Sequence, residues 1–138
     1  VTVQAHILKL LRALCRRKGT AIMFITHNLA LIRYVCARVA VMYLGTVCEL
    51  APTAAIFKTP RHPYTQALIQ AIPKLGQPHR KHISLKGDVP TPIHLPSGCV
   101  FHGRCIHAAD RCSNENPELI ELEAGIQVAC HGVEEGRI

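Results

Sequence analysis

The sequence contains no tryptophan, and its 138 residues include only three phenylalanines and three tyrosines. A core built from Leu, Ile, Val and Ala is therefore expected, which suits layered packing of helices on a sheet. No apolar run is long enough to cross a bilayer. The most apolar stretch, Ala21 to Ile32, is broken by His27 and Asn28. No secretory leader is visible either, because Val1-Thr2-Val3-Gln4 lacks a basic region followed by an apolar run and a small-residue cleavage site. A cytoplasmic chain, or one held at a membrane through partners, is the expectation. The chain opens on Val1 rather than Met, as expected of a piece of a longer chain. Acidic residues are scarce up to residue 104, with 2 against 14 Lys and Arg, while residues 105–138 carry 7 against 2. That asymmetry can mark contact with nucleic acid or membrane. However, aromatic residues are not interleaved with the basic ones, and no groove-reading motif is present, so a nucleic-acid binder ranks last. A solvated basic surface is the simpler account.

What the sequence does have is cysteine, 7 in all. An odd count without a leader argues against a secreted disulfide framework, leaving buried thiols, a metal site or redox chemistry. Cys15, Cys36 and Cys48 fall within apolar patterns and read as core residues. Cys99, Cys105, Cys112 and Cys130 form C-x5-C-x6-C-x17-C. Four thiolates complete a zinc or iron–sulfur site, but this spacing matches neither a zinc knuckle nor a ferredoxin run. Spacing alone leaves metal ligands and buried thiols equally open.

Along the chain, Gln4 to Lys18 reads as an amphipathic helix with Ile7, Leu8, Leu11, Leu14 and Cys15 at helical spacing. Arg16, Arg17 and Lys18 suit its last turn, and Gly19 its stop. Thr20 to Thr26 reads as a buried strand. Asn28 can cap a helix over Leu29 to Ala37. Arg38 to Leu44 reads as a second buried strand, Gly45 as a tight turn, and Thr46 to Glu49 as an antiparallel return. Short helices are expected over Pro52 to Phe57 and from His62-Pro63 to about Ile72. The stretch from Lys74 to Pro96, with Pro78, Pro90, Pro92 and Pro96, reads as a linker. Helix, strand, helix, strand indicates an α/β sheet.

His27 follows the expected strand directly and precedes a helix. In open α/β sheets that is where ligands bind, although a His in such a place is more often a structural hydrogen-bonding residue. The run "MFITHNLALIRYVCARVAVMYLGTVCELAPTAAIF" resembles the end of an ABC-transporter ATPase domain. The resemblance implies that His27 is the switch histidine of the H-loop, which contacts the γ-phosphate of ATP and orders the attacking water. "VTVQAHILKLL" resembles the helix that follows the D-loop. Nothing in the chain fits GxxxxGK[ST] or an LSGGQ-type signature, and the acidic strand end for Mg²⁺ is missing. No independent ATPase activity is therefore expected.

The second half extends the likeness. "IFKTPRHPYTQALIQAIP" and "GDVPTPIHLPSGCVFHGRCIHAADRCSNENPEL…VACH" resemble the C-terminal extension of ATP-binding subunits from oligopeptide, dipeptide and nickel ABC importers. Three departures stand out. Ile126 and Gln127 occupy the stretch where a His is usual. Ala51 replaces a Gly, and Cys48 replaces a Val. The resemblance implies three regions: the C-terminal part of an ABC ATPase core of the P-loop NTPase class over 1–59, a connecting helix and Pro-rich linker over 60–96, and a small Cys-rich, loop-rich extension over 97–138. It implies Cys99, Cys105, Cys112 and Cys130 as ligands of a [4Fe–4S] cluster, with zinc the lesser option. It further implies ATP and Mg as cofactors of an intact parent. The implied partners are a second ATPase subunit, two transmembrane permease subunits and, indirectly, a solute-binding protein. The implied place is the cytoplasmic face of the inner membrane. His102, His107 and His131 read as exposed polar residues, and Arg104 as either a surface residue or a counter-charge to a thiolate cluster. The competing reading is a small stand-alone metal module with no transport role.

Overall fold

The computed structural model describes residues 2–72, 85, 87 and 90–138. Most of the expected linker, residues 73–84, lies outside them. The chain divides into two compact units, Val1–Ala37 and Arg38–Ile138.

The first unit begins with helix α1, Thr2–Lys18, which ends on Arg16, Arg17 and Lys18. Gly19 follows at φ +64, a conformation glycine adopts without a steric penalty. Leu8, Leu11 and Cys15 are half-buried, while Ile7, Leu10 and Leu14 stay exposed. The strand expected over Thr20 to Thr26 is not formed. Met23 and Ile25 are 90% and 91% exposed. A strand exists only through its neighbour's hydrogen bonds, and none of the described residues offers this segment a ladder. Asn28 caps helix α2, Leu29–Val35, accepting from the Ala30 amide at 3.0 Å. The helix stops short of Ala37 because Cys36 is extended. Ile32 is its buried residue, and Arg12 of α1 donates to the Tyr34 carbonyl at 2.9 Å.

The second unit is built on a hairpin. Strand β1, Arg38–Tyr43, turns through Leu44 and Gly45 into strand β2, Thr46–Pro52. Both turn residues have positive φ, +45 and +81. That backbone matches the right-handed twist of the flanking strands, and Gly45 takes it more readily than Leu44. Alternation along β1 buries Val39, Val41 and Tyr43. Helix α3, Thr53–Lys58, and helix α4, Pro63–Gln70, follow, with Pro63 in the first turn of α4.

The expected loop-rich extension does more than loop. After a short 3-10 turn at His102–Arg104 and helix α5, Asp110–Asn114, it adds strands β3, Ile120–Glu123, and β4, Ile126–Val128. It closes on helix α6, His131–Glu134. Strand β4 pairs with β2 through Glu49↔Val128 and Leu50↔Gln127. The sheet is antiparallel throughout, in the order β1-β2-β4-β3. The architecture is thus α/β, with the C-terminal residues woven into the same sheet as the hairpin. Among the described residues no helix is long and apolar enough to cross a membrane.

Candidate functional site

His27 sits in the link that leads into α2 and is exposed. The Asn28 amide donates to the Thr26 hydroxyl at 3.0 Å, and the Asn28 side chain then caps α2. His27 is therefore held between a hydroxyl clamp and a helix start, with its side chain open to solvent.

The four cysteines lie in the second unit on four different pieces of chain. Cys99 precedes the 3-10 turn, Cys105 follows it, Cys112 lies on α5, and Cys130 caps α6. The fold brings them together. Burial raises the thiol pKa values of Cys99, Cys105 and Cys130, and neighbouring thiols add to the rise. Cys99 and Cys105 each feel Cys112 and Cys130, and Cys130 feels Cys112. Backbone amides partly oppose this. At Cys105 the His107 amide donates to Sγ at 3.4 Å. The Arg137 guanidinium also favours the Cys130 thiolate. None of the seven cysteines, all of them described residues, is joined in a disulfide.

Three local devices draw the thiols in. Gly98, at φ +66, lets the loop approach α5 so closely that the Cys99 amide donates to the Cys112 carbonyl at 2.8 Å. Arg111 binds Glu115 on one side and Glu134 and Glu135 on the other, tying α5 to α6. His131 donates from Nε2 to the Glu115 carbonyl at 3.0 Å. The expectation of an exposed His131 is corrected here: it is buried, because its ring fills the seam between the end of α5 and the start of α6. Arg104 lies against the Tyr43 hydroxyl at 3.5 Å.

Beneath the thiols is a rigid floor. Tyr43 and Phe101 meet edge to face with centroids 5.3 Å apart, and Tyr64 sits 4.8 Å from Tyr43. Cys48 is buried with Tyr43 and Phe101, and Cys99 and Cys105 pack against this cluster. Glu49, 1% exposed, accepts from the Arg61 and His62 amides, both at 2.9 Å. Such bonds satisfy a buried carboxylate and pin the start of α4 to β2. His62 Nδ1 in turn accepts from the Tyr64 amide at 3.0 Å. Burial lowers the His62 pKa to about 4, so its ring is neutral at pH 7. No sequence pattern announced this Glu49–His62 link; the "YLG.V.E" motif marked Glu49 without its partners.

As donors, the four thiols suit a soft metal or an iron–sulfur cluster. Among the described residues no three His, Cys, Asp or Glu side chains stand close enough to hold a single metal ion. A lone tetrahedral zinc draws every sulfur to about 2.3 Å from one point. A four-iron cluster takes one thiolate at each iron and sets its sulfurs wider apart. In donor type and number the four thiols suit either group.

Comparison with known proteins now says what kind of chain this is. Residues 48–112 match the family described as the oligopeptide/dipeptide transporter, C-terminal region. The chain is 50% identical over 133 residues to a Sinorhizobium fredii protein named as a peptide ABC transporter ATP-binding protein, covering 95% of this chain and 37% of that one. It is 44% identical over 136 residues to a di/tripeptide transport ATP-binding protein of Pseudomonas aeruginosa, covering 98% and 42%. Over nearly its whole length the chain is similar to ATP-binding proteins of ABC transporters. Within that class its relatives are those of peptide and di/tripeptide transport. It spans about two-fifths of the length of the relatives it matches. Nothing in these similarities favours a stand-alone metal module.

Proposed function

We propose that this chain is part of the ATP-hydrolysing subunit of an importer for peptides, and that it supplies that subunit's γ-phosphate histidine and its C-terminal extension. The observation that carries the reading is the 44–50% identity to peptide-transport ATP-binding proteins over nearly the whole chain, a span that takes in the positions of His27 and the four cysteines. His27 is exposed at a helix start, where an imidazole can reach a phosphate or an attacking water. ATP and Mg²⁺ are the cofactors of the whole subunit, with the phosphate cradle supplied by sequence outside this chain. The partners are a second ATP-binding subunit and two permease subunits at the cytoplasmic face of the inner membrane, with a solute-binding protein delivering cargo. Peptides are the cargo the relatives' names favour; nickel is the other cargo of the resemblance.

The four thiols of Cys99, Cys105, Cys112 and Cys130 hold a [4Fe–4S] cluster in this reading, with zinc as the alternative. When bound, the cluster ties four segments of the extension together. The protein's own part is to keep those segments in register through Gly98, Arg111 and His131.

The test is co-expression of the chain, tagged, with the permease and ATP-binding subunits of a peptide importer, followed by pull-down and a labelled-peptide uptake assay. Recovery of the permease subunits and a change in uptake support the reading. A chain that co-purifies with none of them and leaves uptake unchanged refutes it.

A further inference from the structure

His62 stands at the start of α4 with one ring nitrogen committed and the other open. Its Nδ1 accepts from the Tyr64 amide at 3.0 Å. A ring nitrogen that accepts carries no proton, so the imidazole proton sits on Nε2. Nε2 has no hydrogen-bond partner among the described residues. The residue is 2% exposed and borders a cavity of about 320 Å³. Cys48, Phe101 and Ala129 are the other buried residues that line it, and Thr46, Leu95 and Asn116 are exposed at its mouth. The ring is fixed in place. Glu49 accepts from the His62 amide at 2.9 Å, and Phe101 lies tilted against the imidazole, 5.7 Å between centroids. Of the four candidate cluster ligands only Cys99 borders the cavity, so a four-thiolate site lies elsewhere.

We propose that this cavity binds a small uncharged molecule with an apolar body and one carbonyl or hydroxyl oxygen, which accepts from His62 Nε2. The inference stands apart from the transport reading, since it needs neither His27 nor a cluster. The volume is at the lower end for small-molecule sites. It holds roughly ten non-hydrogen atoms, at about 30 Å³ each as in liquid water. Leu95, Pro96, Val100, Phe101 and Pro117 supply apolar contact. The charge of the ligand is set by what is near. Among the described residues no Lys or Arg lines the cavity, and the Glu49 carboxylate on the His62 amide repels an anion. A wholly apolar ligand fails for a different reason, because it displaces water and leaves a buried N–H unsatisfied.

The experiment is a titration at pH 7 of the ¹⁵N-labelled chain, reduced and free of metal, with three probes of similar size. Acetophenone is neutral and carries one acceptor, ethylbenzene carries none, and benzoate is an anion. The readout is the amide shifts of Val100, Phe101 and Ala129. Acetophenone should shift them saturably and bind about tenfold more tightly than ethylbenzene, the worth of one hydrogen bond. Benzoate should bind more weakly than acetophenone by at least as much. His62→Asn keeps a side-chain oxygen to cap α4 and removes the ring donor, so it should bind acetophenone no better than ethylbenzene. Thr46→Trp, on an exposed residue, should obstruct the mouth and weaken both neutral probes. Should His62→Asn lose its dispersed spectrum, Thr46→Trp decides, and unchanged affinity there overturns the proposal. Equal binding of acetophenone and ethylbenzene, tighter binding of benzoate, or full affinity in a folded His62→Asn also overturns it. So does the absence of any saturable shift in wild type, which would mean a cavity that holds water only.

Discussion

Gly98 lies so close to α5 that a β-carbon there would fall 2.5 Å from the Cys112 carbonyl oxygen and 2.7 Å from the Ser113 carbonyl carbon. Both neighbours are backbone and cannot swing away. The contact sets the Cys99 backbone beside that of Cys112, so one glycine decides how closely these two segments approach. Gly98→Ala adds a left-handed penalty of roughly 1–2 kcal/mol to that overlap. The expected outcome is a lower melting temperature and, on the proposed cluster reading, loss of iron uptake. Unchanged uptake would mean that the loop reaches α5 by another route.

Glu49 holds α4 to β2 through two backbone amides. Glu49→Ala orphans both, at about 1–3 kcal/mol for each buried donor. Glu49→Gln keeps one acceptor oxygen and should cost roughly half as much. Urea denaturation of the three chains checks the order, and equal losses would discount the amide contacts.

The neutral His62 makes the fold sensitive to acid. Its pKa is lowered by burial from 6.5 to about 4, so below 6.5 the unfolded chain binds a proton that the folded chain refuses. Stability is full above pH 6.5, falls as pH drops toward 4, and loses nothing further from this group below that. One pKa unit is worth about 1.4 kcal/mol, so the loss is roughly 3 kcal/mol. Melting curves between pH 7 and pH 4 for wild type and His62→Gln should converge at the acid end. Parallel curves would contradict a buried neutral imidazole.

His27 is exposed, so His27→Ala should shift stability by less than about 0.5 kcal/mol. The chain by itself is expected to hydrolyse no ATP, with or without His27. A phosphate-release assay on the purified chain checks the second point, and turnover surviving removal of contaminants would contradict it.

Arg111 joins α5 to α6 through Glu134 and Glu135, while Glu115 holds it from the end of α5. Arg111→Met should loosen that seam and speed alkylation of Cys112 and Cys130 by iodoacetamide. Peptide mass spectrometry over time reads the rates, and unchanged rates would show that His131 holds the seam alone.

Local signals were legible in the sequence and non-local ones were not. The Asn28 cap, the Gly45 turn and Pro63 at the start of α4 act through neighbours in the chain, so their residue types announce them. The strand expected at Thr20 to Thr26 was read correctly as apolar, but a ladder needs a partner the sequence pattern cannot supply. Pairing of β4 with β2 joins residues about eighty positions apart, and short strands such as Ile126–Val128 leave little periodicity to read. The same applies to the thiols: C-x5-C-x6-C-x17-C states their order, while their meeting depends on Gly98, the Arg111 seam and the β2–β4 pair.

That placement of β2 between β1 and β4 makes the hairpin and the C-terminal residues melt as one. Nicking the chain before Ile120 would strip β2 of its neighbour and lay bare a row of amides and carbonyls, so a trimmed hairpin should associate with its own kind rather than survive as a smaller monomer.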